Sequence, residues 1–144
     1  MRPETESEPA MGHGELILVV DDELSVLQVS KEILEVQGYR VLTATDGAEA
    51  TAIFASGEKG SVGLLITDMN MPLMDGSSTI RALRRIEPRL KIVVSSGLLT
   101  NVNSAGTTGM EIQGYLTKPY TAEQLLRMVH KALTGPYPGD AGVS

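Results

Sequence analysis

Six side chains carry the chemistry this sequence offers: Asp21 and Asp22, Asp68, Ser95 and Ser96, and Lys118. Singly, each has an ordinary explanation. The acidic pair would favour the N-terminus of a following helix through its dipole. Asp68 would serve as a turn residue before Pro72, either serine would bond loop backbone, and Lys118 would be a solvated charge. Together they ask for more. Three carboxylates drawn to one place repel each other and coexist only with a cation or a proton. A hard cation with oxygen ligands suits them, and Mg²⁺ takes one or two carboxylates with phosphate oxygens and water. The lysine adds a second positive charge of the kind that steadies a phosphoryl group.

The elements that must position these groups are legible. Residues 16–20, LILVV, form a continuous apolar run, the mark of a strand buried on both faces. Residues 24–37 read as a helix with Val26, Leu27, Ile33 and Leu34 apolar and Gly38 at its C′ position. Residues 40–44 form a second strand. Asp46 caps the next helix with Glu49 three residues on, resembling a capping box, and Ile53 and Phe54 are its core contacts. Residues 62–67 are the third strand run. Pro72 and Gly76 shape the loop after Asp68, the glycine by permitting positive φ.

Residues 77–86 follow as a helix with Ile80, Leu83 and Ile86 on one face, closed by Pro88, and residues 91–95 are a fourth strand. Residues 115–117 make a short fifth strand. Thr121 and Gln124 fit a capping box that opens a last helix, with Leu125, Leu126, Val129 and Leu133 inward and Gly135-Pro136 as its stop. Between the last two strands, glycines at 97, 106, 109 and 114 and several threonines predict a fourth helix over 98–113 that is short, irregular or displaced, and the most mobile part of the core.

Strand and helix thus alternate five times, which implies an α/β fold with a parallel sheet covered on both faces. One domain spans residues 15–134, between a disordered leader or linker at 1–14 and a disordered tail at 135–144. Each of the six chemical residues sits at a strand's carboxyl end, the edge where open α/β sheets form their sites. By contrast Met69, Met71 and Met74 read as loop packing, and His13 and His130 as solvated.

Composition narrows the classes further. The 144 residues contain no Cys, so disulfides, zinc-thiolate sites and a thiol nucleophile are excluded. A net charge of −6 and an aromatic content of 3% argue against a nucleic-acid binder, which would show a basic surface or stacking rings. No apolar run approaches the roughly 18 residues of a membrane span, and the acidic N-terminus does not resemble a secretory signal. The expectation is a cytoplasmic domain with no membrane contact through this segment.

The stretches LILVVDDE, LLITDMNMPLMDG, VVSSG and YLTKP resemble the successive signatures of the receiver domain of two-component response regulators, from about Leu16 to Leu133. The resemblance implies a flavodoxin-like sheet of five parallel strands in the order 2-1-3-4-5. It implies that Asp68 accepts a phosphoryl group and that Asp21 and Asp22 bind Mg²⁺ or Mn²⁺ together with Asp68 and the backbone carbonyl of Asn70. Lys118 matches the lysine that contacts the phosphoryl group, and Tyr115 the aromatic switch position. Ser96, followed by Gly97 and 22 residues before Lys118, matches the switch hydroxyl, with Ser95 as the alternative. The Lys118–Pro119 bond is expected to be cis.

The function so implied is a signalling switch rather than a turnover enzyme. Asp68 takes the group from a phosphohistidine of a histidine kinase or a histidine phosphotransfer domain, and water later removes it. Phosphorylation changes the face of the fourth helix, fifth strand and fifth helix, through which the domain is expected to meet a partner or dimerise. The GHGELILVVDDE start and the KPYTAEQLL ending resemble receivers at the end of hybrid sensor histidine kinases, and no DNA-binding output is expected after Leu133. Two rival readings exist. A phosphohydrolase of the haloacid dehalogenase type would need a second aspartate where Asn70 stands, and its acidic pair would follow the nucleophile rather than precede it. A receiver-like interaction module that is never phosphorylated remains the other.

Overall fold

The computed structural model describes residues 10–57, 60–69, 76–97 and 111–138. Among these the apolar runs become five strands: β1 (Leu16–Val20), β2 (Arg40–Ala44), β3 (Leu64–Asp68), β4 (Lys91–Ser96) and β5 (Gly114–Thr117). They pair in parallel in the order β2-β1-β3-β4-β5. Four helices accompany them: α1 (Leu24–Val36), α2 (Gly47–Ser56), α3 (Gly76–Ile86) and α4 (Ala122–Thr134). The helix expected over 98–113 falls on residues that are, up to 110, outside the described ones. None of the described helices is long and apolar enough to cross a membrane.

Side-chain alternation along the strands splits the core into two layers. Ile17, Val19, Leu64, Ile66 and Val93 pack with Leu27 and Leu34 of α1 and Leu125 and Val129 of α4. Leu18, Val20, Leu65, Ile92 and Val94 pack with Ala50 of α2 and Ile80 and Leu83 of α3. Every residue of β1, β3 and β4 is buried. Fully burying each such Leu, Ile or Val stabilises the fold by about 1.5–3 kcal/mol, so both layers are needed to hold the central strands in place.

Local sequence closes the helices. The Asp46 carboxylate accepts from Glu49 N at 2.8 Å, but the Glu49 carboxylate accepts from Thr45 N at 2.6 Å, one residue before the cap. Thr121 and Gln124 form the complete reciprocal box at the start of α4. Gly38 lies at the C′ position of α1 with φ +101°, which an L side chain rarely adopts.

The described residues before β1 and after α4 pack further than composition suggested. The leader, expected to be structureless through residue 14, is pinned from residue 10. Gln37 Nε2 donates to Ala10 O at 3.0 Å, Gly12 N to Gln37 O at 2.7 Å and Gly14 N to Gly38 O at 2.8 Å. The contact needs glycine at 12, because a Cβ there would stand 2.5 Å from the Tyr39 ring. At the other end the chain continues past α4 to Tyr137, whose ring packs on Arg89 and Lys91.

Candidate functional site

Strand register assembles the site. Val20 pairs with Thr67, so Asp21 follows β1 level with Asp68 at the end of β3. Asp68 pairs with Ser95, and Ser96 with Thr117, so Lys118 follows β5 directly beside the end of β4. Backbone bonds continue the sheet past its ends: Met69 N donates to Ser95 O at 3.0 Å, and Lys118 N to Ser96 O at 2.7 Å. Four chain segments thereby deliver their polar residues to one edge.

Asp21, Asp22 and Asp68 each offer a carboxylate oxygen within 4.8 Å of the others. Asp21 and Asp68 are buried, at 2% and 4% exposure, and Asp22 is exposed. The Lys118 ammonium lies 2.6 Å from Asp21 Oδ2 and 3.3 Å from Asp68 Oδ2. Burial alone would push its pKa down. The hydrogen bonds and attraction of Asp21 and Asp68 outweigh that and hold it above the ordinary lysine value. The other Asp21 oxygen accepts from Glu23 N at 2.9 Å, which sets the chain's entry into α1 where Glu23 has no side-chain cap of its own.

The two serines separate by strand alternation. Ser95 follows Val93 toward the α1 and α4 layer. Ser96 follows Val94 toward the α2 and α3 layer, where the half-buried Tyr115 also packs. Ser96 is fully buried, and its hydroxyl is the one buried side-chain polar atom without a hydrogen-bond partner among the described residues. The Lys118–Pro119 peptide is cis. Asn70, Met71 and Met74 lie outside the described residues, Met69 is buried in the core, and His13 and His130 are exposed.

Gly76 corrects the expectation of a positive φ: the described glycines with positive φ are 14, 38, 57 and 60. Proximity is what requires a glycine at 76. A Cβ there would stand 2.5 Å from Asp68 O and 2.8 Å from Met69 Cα, and Gly76 N donates to Met69 O at 3.2 Å. The start of α3 thus rests directly on the backbone of Asp68. Two residues at the site escaped the sequence reading. Glu23 brings an exposed carboxylate within 3.8 Å of Lys118, and its signal was the third acid after the Asp pair. Tyr120, two after Lys118, lines a groove with it and with α1.

The arrangement is short of positive charge. Among the described residues four carboxylates, those of Asp21, Asp22, Glu23 and Asp68, face one ammonium. An all-oxygen donor set with an exposed mouth at Asp22 fits a small hard divalent cation. The orphaned Ser96 hydroxyl and the lysine are donors suited to an anionic group beside it.

Fold and site together define an α/β switch domain of two-component signalling, and the response regulator receiver domain family matches residues 17–130, so the chain belongs to that family. Among its relatives is the sensor kinase CckA of Brucella abortus, 32% identical over 117 residues, covering 81% of this chain. The chain spans 12% of CckA and about half the length of the transcriptional regulators it also matches. A response regulator receiver domain protein from Clostridium thermocellum superposes with a TM-score of 0.74 at 34% identity, covering 83% of this chain and 94% of that one. The response regulator TrrA of Thermotoga maritima, solved in complex with Mg²⁺-BeF, gives a TM-score of 0.72 at 29% identity, covering 83% and 99%.

Proposed function

We propose that this chain is a phosphoacceptor whose Asp68 takes a phosphoryl group from a phosphohistidine. The observation that carries the reading is the placement of Asp68, buried between two further carboxylates and a lysine ammonium 3.3 Å away. A carboxylate oxygen of Asp68 attacks phosphorus, the P–N bond to imidazole breaks, and the imidazole leaves with the bond's electron pair. The product is an acyl phosphate, which water later hydrolyses. Asp22 and Asp68, with the Asn70 carbonyl and with Asp21 through water, would hold Mg²⁺, which when bound offsets the charge on the phosphoryl oxygens. The Mg²⁺-BeF complex of TrrA supports this ligand class.

Lys118 neutralises the carboxylates before transfer and turns to a phosphoryl oxygen after it. Ser96 supplies the second donor, since its hydroxyl has no competing bond to give up. Its movement toward the phosphoryl group leaves room on the layer it shares with Tyr115. That couples Asp68 to the groove lined by Tyr115, Leu116, Gln124, Arg127 and Met128. A protein donor is supported by an apolar groove of about 510 Å³ beside Lys118, lined by Val26, Val29, Ile33, Pro119 and Tyr120. A histidine kinase or histidine phosphotransfer domain is the donor, and the likeness to CckA supports a place within a hybrid kinase.

The test is incubation with acetyl phosphate and Mg²⁺, followed by intact mass. The parent gains one phosphoryl group and Asp68→Asn gains none. Uptake by Asp68→Asn at the parent's rate overturns the assignment. Spectra of the parent unchanged by beryllofluoride and Mg²⁺ favour the interaction module that is never phosphorylated.

A further inference from the structure

At the edge of the sheet opposite Asp68, a second lysine is buried where the phosphoryl chemistry has no use for it. Lys91 opens β4 and is 3% exposed. No carboxylate pairs with it among the described residues. Its ammonium instead donates to Leu133 O at 2.7 Å and to Gly135 O at 2.9 Å. Leu133 O lies in the last turn of α4, whose carbonyls have no partner within the helix. The Tyr137 ring then covers both cations at this edge, 4.5 Å from Lys91 Nζ and 4.6 Å from Arg89 Cζ.

The cost of this burial makes the arrangement informative. An ammonium removed from water without a counter-ion is expensive, and charge-assisted bonds to carbonyls are what offset it. A lysine at the start of a strand has an easy route to solvent along its flexible stem. Here the stem runs inward, and Tyr137, held between Pro136 and Pro138, closes over it. Gly135 takes part too, since its N donates to Lys131 O at 3.0 Å while its own carbonyl receives Lys91.

We propose that Lys91, Arg89 and Tyr137 form a clasp that fixes the C-terminal end of α4, and residues 135–138 after it, to the first residue of β4. The consequence rests on the phosphoacceptor reading. α4 borders the groove that contains Tyr115, and its first turn begins just after Lys118 and Pro119. With its far end clasped, α4 responds to phosphorylation at its first turn and pivots about its last. β4 joins the two events: buried at all six residues, it carries Ser96 at one end and Lys91 at the other.

The experiment is amide hydrogen exchange on the full chain, with and without beryllofluoride and Mg²⁺, for the parent, Lys91→Met and Tyr137→Ala. In the parent, beryllofluoride changes exchange at Gln124 and Leu125 and leaves Ala132, Leu133 and Gly135 unchanged. Without beryllofluoride, either variant speeds exchange at the last three amides by about tenfold or more, a local opening that leaves the other strands protected. Phosphoryl uptake by Asp68 stays at the parent's rate. Parent-like exchange at those amides in both variants overturns the clasp, and a beryllofluoride response at Leu133 equal to that at Leu125 overturns the pivot. If Lys91→Met fails to fold, Tyr137→Ala decides alone, because that ring is half-exposed and its loss opens no core cavity. A parent that ignores beryllofluoride everywhere counts against the phosphoacceptor reading, while the variants still judge the clasp.

Discussion

Lys118 and Lys91 stand at opposite ends of one sheet, and their neighbours give them opposite roles. Lys118 faces the carboxylates of Asp21 and Asp68, which raise its pKa against the opposing effect of burial. Lys91 faces backbone carbonyls and an aromatic ring, and burial, with no acid to oppose it, lowers its pKa. At the first edge negative charge is left over, and a cation and a phosphoryl group have a reason to bind. At the second edge the ammonium meets two neutral carbonyls and an aromatic ring, and the result is structure without chemistry. A buried lysine marks a reactive site when its partners are acids in excess, not merely when it is buried.

The largest expected effect comes from breaking the first lysine. Lys118→Met is expected to slow uptake from acetyl phosphate by about 10²-fold or more, the scale of losing one preorganised donor to developing charge. Lys91→Met, measured the same way, leaves uptake unchanged. Its effect appears instead in stability. The variant leaves the carbonyls of Leu133 and Gly135 without their donor, partly offset by removal of the buried charge, so urea unfolding should show a net loss of about 1–3 kcal/mol that Lys118→Met does not reproduce in the presence of Mg²⁺.

A smaller effect sharpens the charge argument. Saturating Mg²⁺ should raise the parent's melting temperature, by about 2.7 kcal/mol in stability at 100 times the dissociation constant. Asp22→Ala should weaken that gain and raise metal-free stability, since it removes repulsion from the exposed side of the cluster. A parent melting curve indifferent to Mg²⁺ would contradict the deficit of positive charge at this edge.

Alkaline titration separates the two lysines by sign. A raised folded pKa means the contribution of Lys118 is complete at neutral pH and is lost as pH climbs past the ordinary lysine value of about 10.4 toward the folded one. A lowered folded pKa means Lys91 carries a cost at neutral pH that disappears over the window between its folded and ordinary values. Stability of Lys91→Met relative to the parent should therefore fall further behind as pH rises into that window, and that of Lys118→Met should catch up above it. The smallest effect belongs to Ser96→Ala. Removing a buried hydroxyl without a partner should cost nothing and stabilise by up to about 1 kcal/mol, while the Tyr115 response to beryllofluoride is lost. Ser95→Ala should keep that response.

How much of this was legible varied with how local the determining physics was. β1, β3 and β4 were plain because a strand buried on both faces shows a continuous apolar run, LILVV, LLI and IVV here, with polar residues only toward its ends. Gly38 and the Thr121 box announced helix ends because capping is decided within four residues. The convergence of Asp21, Asp68 and Lys118 was legible because each closes a strand of a parallel sheet. Ser96 was preferred to Ser95 on the glycine that follows it and its distance from Lys118; the layer it shares with Tyr115 and its unpartnered hydroxyl are features that spacing alone does not contain. Residue 91 was legible only as the start of a strand; its burial depends on the return of the chain at Leu133, Gly135 and Tyr137, which local sequence does not show. Gly76 was legible as a loop residue and Gly12 only as part of the leader, neither as a close approach, because the Asp68 carbonyl and the Tyr39 ring that crowd them come from other elements.

The most direct measurement of the whole account is the side-chain NMR signal of ¹⁵N-labelled lysine ammonium groups during titration with beryllofluoride and Mg²⁺. Lys118 is predicted to shift as its partners change from Asp21 and Asp68 to the phosphoryl analogue, with Asp68→Asn abolishing the shift, while Lys91 stays still in both proteins. A Lys118 signal that ignores the analogue, or a shift that survives in Asp68→Asn, would contradict the assignment of Asp68 as acceptor and Lys118 as its counter-charge.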